Sequence, residues 1–152
     1  MTQGEVRGIW IKRVHRGPMD PVTRATLRAG HGIVGNADQG GRRQVTLIDS
    51  HVWDLVVEEL GDHIDPGIRR ANLLISGLSL AASRGKVLRV GPCRLQINGE
   101  TRPCTHMDDA RPGLQHALRA PWRGGAYAEV LDDGEIEVGA PVEWADPEGV
   151  TS

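Results

Sequence analysis

Residues 87–97 read Val-Leu-Arg-Val-Gly-Pro-Cys-Arg-Leu-Gln-Ile, and this stretch decides the fold class. Val87 to Val90 and Cys93 to Ile97 are short runs rich in apolar residues, joined by the turn dipeptide Gly91-Pro92, so they read as the arms of an antiparallel hairpin. In the second arm Cys93, Leu95 and Ile97 alternate with Arg94 and Gln96, which assigns the first three to one face and the other two to its opposite. Cys93 is therefore predicted to be a buried core thiol.

Other β signals lie on both sides of this hairpin. Upstream, Glu5 to Arg13 reads as a first strand, residues 15–21 (HRGPMDP) break it, and Val22 to Ala29 reads as a second. Gln44 to Ile48 and Leu73 to Ile75 are further short strands. Downstream, Ala126 to Leu131, a hairpin turn at Asp133-Gly134, Glu135 to Val138, and Val142 to Trp144 continue the pattern. Two helices interrupt it. Asp49 or Ser50 caps the first, His51 to Leu60, and Gly61 closes it; Val52, Val56 and Leu60 share its apolar face, with Trp53 and Val57 adjacent. The second, Gly113 to Ala120, starts beside Pro112. Many short strands with only two helices predict a mainly β domain (α+β): a closed or nearly closed antiparallel β-barrel with a few flanking helices and Trp53 buried. The barrel is expected to take residues 1–145, with 146–152 as a C-terminal tail.

Composition narrows the function. With 152 residues the chain is long enough for one domain with a single core, and its 39% hydrophobic and 25% charged residues are ordinary for a globular domain. A net charge of −2 argues against general nucleic-acid binding. Two cysteines make no disulfide framework, so a reducing cytoplasm is expected, and no apolar run approaches the ~20 residues of a membrane span. Arg outnumbers Lys 16 to 2, and Arg is the residue suited to bidentate capture of phosphate or carboxylate.

The chemistry concentrates in residues 98–109, NGETRPCTHMDD. Cys104 has Arg102 two positions before it and His106 two after, cationic neighbours that favour thiolate over a free thiol's pKa of about 8.5. Asp108 and Asp109 read as a solvated turn within reach of the same site. The six histidines show no metal-ligand spacing, and His106 alone is placed to tune the cysteine. Gly30, Gly32 and Gly35 form a G-x-G-x-x-G string, but Gly40, Gly41 and an apolar strand follow it where a dinucleotide site needs a helix, so residues 30–43 read as a flexible or ligand-facing loop. Arg42, Arg43, Arg69, Arg70 and Arg123 stand beside glycine or at strand ends, positions from which side chains converge on an anion at a barrel mouth.

Taken in order, Gly32 to Asn36, Arg43-Gln-Val-Thr-Leu, Arg70-Ala-Asn-Leu, Val90-Gly, Arg102-Pro-Cys104, Arg123-Gly-Gly-Ala-Tyr, and Gly134 followed by Val138-Gly resemble the MOSC domain, named for the C-terminal domain of molybdenum cofactor sulfurases. The resemblance implies a β-barrel with one family cysteine, which falls on Cys104. In the family that cysteine is proposed to carry sulfur as a persulfide, and in amidoxime-reducing relatives it ligates molybdenum. It further implies pterin contacts at Arg70 and Asn72 and a metal-proximal pair at Asp49 and Ser50. The family loop often has Gly-Asp where this chain has Gly35-Asn36. Neither the aminotransferase-like desulfurase domain nor the N-terminal β-barrel that larger members add is expected here, and pyridoxal phosphate is not expected in this chain.

Three functions follow. The first is a sulfur carrier or transferase in which Cys104 takes sulfane sulfur from a separate cysteine desulfurase and passes it to a cofactor or metal–sulfur acceptor protein. The second is a molybdenum cofactor (molybdopterin) enzyme reducing N-hydroxylated compounds, with Cys104 on the metal. The third is a binding module without chemistry. Arg70, Asn72 and at least one of Arg42, Arg43 and Arg123 are expected to line one cavity with Cys104, and neither nucleic acid nor membrane is expected as a partner.

Overall fold

The computed structural model describes residues 4–15, 17–61, 64–66, 70–101, 112–120 and 122–145. The hairpin of residues 87–97 forms as its alternation requires. Strands β7 (Val87–Val90) and β8 (Cys93–Glu100) pair antiparallel with Leu88 opposite Leu95 and Val90 opposite Cys93. Leu88, Val90, Cys93, Leu95 and Ile97 are all fully buried on the inner face. Each such aliphatic side chain contributes about 1.5–3 kcal/mol by leaving water, so a slip of one residue in register forfeits the whole set.

Around this hairpin the wall closes. The remaining strands are β1 (Gly4–Lys12), β2 (Met19–Val22), β3 (Arg24–Arg28), β4 (Gly32–Ile33), β5 (Val45–Asp49), β6 (Leu73–Ser76), β9 (Ala126–Val130), β10 (Gly134–Glu137) and β11 (Pro141–Trp144). The order β1-β11-β7-β8-β9-β5-β6 returns to β1, giving a closed seven-stranded barrel, with β2 folded back on the far half of β1. Its pairings are antiparallel except β5 with β6, which run parallel, Leu47 opposite Leu73. A parallel pair needs a crossover, and helix α1 (Ser50–Leu60) supplies it. A second sheet, β10-β3-β4, adds Ala25, Leu27, Ile33 and Ile136 to the same core.

Helix α1 has the expected ends. The Asp49 carboxylate accepts from the His51 N–H at 2.9 Å, and Gly61 ends the helix at φ 69°, ψ 25°. Its buried face centres on Trp53 and Val56 rather than on Val52, because these two meet Ile48, Ile64 and Ala71 and the short helix α2 (Leu114–Ala117) in a second core outside the barrel. The Trp53 indole N–H donates to the Ile64 carbonyl at 3.0 Å, which satisfies its one polar atom.

Several expectations are corrected. The strand expected over Val22 to Ala29 is split at Thr23, its first part pairing with β1 and its second with β10. The turn at Asp133-Gly134 does not close a hairpin: β10 pairs with β3, because an Asp133 carboxylate oxygen accepts from the Ala29 N–H at 2.7 Å and Gly30 N–H reaches the Val130 carbonyl at 3.0 Å. Helix α2 is one turn and not the eight residues 113–120, since Arg119 N–H already turns back to the His116 carbonyl. Strand β8 runs on to Glu100, taking in Asn98 and Gly99 through a bulge. No helix among the described residues is long and apolar enough to cross a membrane. The tail 146–152 lies outside the described residues.

Candidate functional site

Strand β8 delivers the chain to the cysteine segment. Arg102, Cys104 and His106 lie outside the described residues, as do Arg69, Asp108 and Asp109. Gly99 is pressed against Tyr127: a Cβ there would come within 2.6 Å of the phenol oxygen. The Arg43 guanidinium lies over the same Tyr127 ring, 5.7 Å from its centroid, a cation–π distance. Asn98 donates from its side chain to the Arg42 carbonyl at 2.8 Å. Arg42 and Arg43 are thus fixed through backbone and ring beside the end of β8 while both side chains stay exposed to solvent.

The next two residues of the chain are held by a turn that precedes β9. A Glu100 carboxylate oxygen accepts from the Trp122 N–H at 2.7 Å, Thr101 N–H donates to the Gly125 carbonyl at 2.9 Å, and the Thr101 hydroxyl donates to the Gly124 carbonyl. Trp122 has φ 65°, a left-handed conformation that costs a bulky residue on the order of 1–3 kcal/mol. Gly125 has φ 98° and no room for a side chain, since a Cβ would lie 2.1 Å from the Leu47 carbonyl oxygen. This is why glycine occupies the position in Arg123-Gly-Gly-Ala-Tyr. Arg123 itself faces the helices: its Nη1 donates to the Ala117 carbonyl at 3.0 Å and pairs with Glu59 at 2.6 Å.

Asn72 is a buried tie between strands. Its amide N–H groups donate to the Trp10 carbonyl at 3.1 Å and to Asn36 Oδ1 at 3.2 Å, and its Oδ1 accepts from Thr46 N–H at 3.0 Å and the Thr46 hydroxyl at 3.3 Å. Those four bonds are all that a carboxamide makes. Only 5% of Asn72 is exposed. A pterin contact at Asn72 does not fit this arrangement, and no chemistry through a pterin is derived from it. Arg70 stands at φ 65° and donates to the Gly17 carbonyl at 2.5 Å, its side chain otherwise at the surface. Asp49 is occupied as the helix cap; burial pushes its carboxyl above the ordinary value of 3.8, against the lowering effect of N–H groups of His51, Val52 and Leu80. Ser50 begins α1, half-buried.

The glycine loop is anchored rather than free. Asn36 Oδ1 accepts from Lys12 N–H at 2.9 Å as well as from Asn72, a double acceptor that a carboxylate at this position would also supply. Gln39 donates to the Ile33 and Asn36 carbonyls, and Gln44 bridges the Gly41 carbonyl and the Val130 N–H. No helix follows the loop, so the G-x-G-x-x-G string has no dinucleotide geometry. Among the described residues no group of three or more His, Cys, Asp or Glu stands together to hold a metal ion.

Cys93 is fully buried and unpaired by disulfide. Burial first, and then the carboxylates of Asp132 and Asp133, push its thiol up from the ordinary value. Thiolate is disfavoured there on every count. Sequence reasoning missed Glu100 and Trp122, whose roles depend on residues far along the chain; the double glycine at 124–125 was the one local sign of a close approach. It also missed the buried amides of Asn36, Gln44 and Asn98, because isolated polar residues in a glycine-rich segment carry no periodicity.

Residues 12–143 match the family model described as the MOSC domain. Similar solved structures include the YUAD protein from Bacillus subtilis, with a TM-score of 0.79 at 19% identity, covering 93% of this chain and 97% of that one. YiiM from Geobacillus stearothermophilus gives 0.76 at 19% identity over 94% of this chain and 75% of its own, and YiiM from Escherichia coli 0.70 at 17% over 96% and 70%. At these identities the likeness is one of fold. No curated protein matches the chain.

Proposed function

This chain belongs to the MOSC domain family, and from that premise we propose that it is a sulfur carrier that takes sulfane sulfur on Cys104 and hands it to an acceptor in metal–sulfur or molybdenum cofactor metabolism. The observation that carries the reading is the burial of Cys93. The chain has two cysteines, and one of them is sealed in the barrel core with its thiol pKa raised. Thiol chemistry therefore falls to Cys104, which stands between Arg102 and His106 in the sequence, neighbours that favour thiolate.

In the loading step the Cys104 thiolate attacks the outer sulfur of a persulfide on the donor, a separate cysteine desulfurase. The donor's S–S bond breaks, a new S–S bond forms on Cys104, and the donor leaves as thiolate. Two-electron balance is kept, so no oxidant is required. Delivery repeats the exchange toward an acceptor nucleophile. Arg42 and Arg43, held beside the end of β8 with exposed side chains, are suited to receive an anionic group of that acceptor. Such a carrier works in a reducing cytoplasm, where the thiolate persists.

The test is incubation with a cysteine desulfurase and cysteine, followed by mass mapping of sulfur adducts. The reading predicts added sulfur on Cys104, none on Cys93, and none in Cys104→Ser. An adduct on Cys93 defeats it. No adduct, together with molybdenum that co-purifies and is lost in Cys104→Ser, supports reduction at a molybdenum centre instead; no adduct and no metal leaves a binding module.

A further inference from the structure

We propose that the outer face of the three-stranded sheet β10-β3-β4 pairs with the same face of a second copy of this chain, forming a weak two-fold homodimer held by charge. The inner face of this sheet gives Ala25, Leu27, Ile33 and Ile136 to the core. Its outer face is open to solvent and ordered in columns. Along β3, the exposed Arg24, Thr26 and Arg28 alternate with the buried Ala25 and Leu27, and along β10 the exposed Glu135 and Glu137 flank the buried Ile136. The register sets Glu135 beside Thr26 and Glu137 beside Arg24. Just past β4, Val34 N–H donates to the Thr26 carbonyl at 2.8 Å, and Val34 is 44% exposed. The face therefore carries an acidic column, a basic column and an apolar residue beside them.

The columns do not satisfy each other within the chain. Arg24 stands 3.8 Å from Glu135 and 3.7 Å from Glu137, beyond hydrogen-bond reach, and all three side chains are more than half exposed. Exposed pairs of that kind contribute little, so the guanidinium donors of Arg24 are open to a partner. A partner of one charge, such as nucleic acid or an anionic membrane, is repelled by the acidic column. The face fits a surface with the same two columns in the opposite order. A half-turn about an axis running along the strands, between β3 and β10, produces that surface from this face itself. Glu137 of each copy then lies over Arg24 of the other, an isologous contact in which every pair is made twice. Facing sheets sit about 10 Å apart, a gap that an Arg and a Glu span from opposite sides. Three strands about 4.8 Å apart, with five residues of about 3.4 Å each, give roughly 250 Å² of sheet. A stable complex covers about 800 Å² on each partner. The pair is therefore weak, and charge rather than buried area decides it.

The experiment is sedimentation equilibrium of the full chain at concentrations up to about 1 mM, the range of a weak complex. It compares wild type, Arg24→Glu, Glu137→Arg and an equimolar mixture of the two variants. Each variant alone sets like charges against each other at both copies of the contact, so its association is expected to weaken at least about tenfold. The mixture is expected to pair at near wild-type strength, because the two reversed charges then face each other and so do the two unaltered residues. The wild-type dimer should also dissociate as salt rises from about 0.05 to about 0.5 M, a test that needs no variant. A wild-type chain that stays monomeric at about 1 mM overturns the proposal. So does a dimer that survives either reversal or the added salt. Variants that keep the wild-type circular dichroism spectrum yet fail to pair when mixed overturn it too. Where a variant loses that spectrum, the salt titration of the wild type decides.

Discussion

The side-chain amides of Asn36 and Asn72 meet at 3.2 Å, one from the glycine loop and one from the entrance to β6, and neither residue exposes more than 5% of its surface. Through them Lys12, Trp10 and Thr46 are joined, so the loop, β1 and β5 share one polar tie. A buried network of this kind stabilises when every group is satisfied and costs heavily when one partner is removed.

Asn72→Ala is therefore expected to lower stability by about 2–4 kcal/mol, since it strips bonds from Thr46, Trp10 and Asn36 at once. Urea denaturation measures it. In a double-mutant cycle with Asn36→Ala, the two losses should fall short of additivity by about 1 kcal/mol. Strict additivity would mean that the amides do not interact.

Asp49 makes stability depend on pH in a defined direction. Its folded value is raised above 3.8, so between 3.8 and the raised value the folded chain holds a proton that the unfolded chain has lost. Stability from this group therefore falls as pH rises through that window. Asp49→Asn keeps the cap and should remove that part of the slope, while Asp49→Ala loses the cap and costs about 1 kcal/mol. Thermal melts across the acidic range decide it. Asp132 gives the opposite sign: the Arg94 bond holds its carboxyl below the usual range, so its contribution is present above 3.8 and disappears as pH falls through the lowered folded value.

The two thiols should report on different things. Under native conditions a thiol reagent is expected to titrate one cysteine per chain, and after denaturation two. Cys93→Ser should leave sulfur loading intact but lower stability by about 1–3 kcal/mol, because a hydroxyl replaces a thiol in an apolar core. Loading lost in Cys93→Ser with folding unchanged would contradict the assignment.

Gly125→Ala is expected to destabilise the domain by about 2 kcal/mol or more, since the new methyl meets the Leu47 carbonyl and the backbone must hold φ 98°. Gly139→Ala, also at positive φ but with open space around it, isolates the backbone part of that cost. Similar losses at both positions would show that the Leu47 contact adds nothing.

The hairpin at 87–97 and helix α1 were legible because each carries a period and punctuation of its own, alternation with Gly91-Pro92 in one and Asp49 with Gly61 in the other. Asp133-Gly134 looked like the same kind of signal and misled, since the choice of β3 over β9 as partner is made by Ala29 and Gly30, a hundred residues away. At the candidate site, the resemblance marked Asn72 as a ligand contact, yet its side chain is consumed by the fold. Arg123 stands beside glycine, as an anion donor would, and is tied to Glu59 and Ala117. A basic or amide side chain in sequence shows what it can bond and not whether a nearer partner has already claimed it.

The seam that closes the barrel pairs Gly4 with Val142 and Glu5 with Pro141. During synthesis one edge of β1 waits for a strand far along the chain, while the hairpin of residues 87–97 forms from near neighbours. Closure is then an event of high contact order, and the nascent chain carries an open strand edge until β11 has been made.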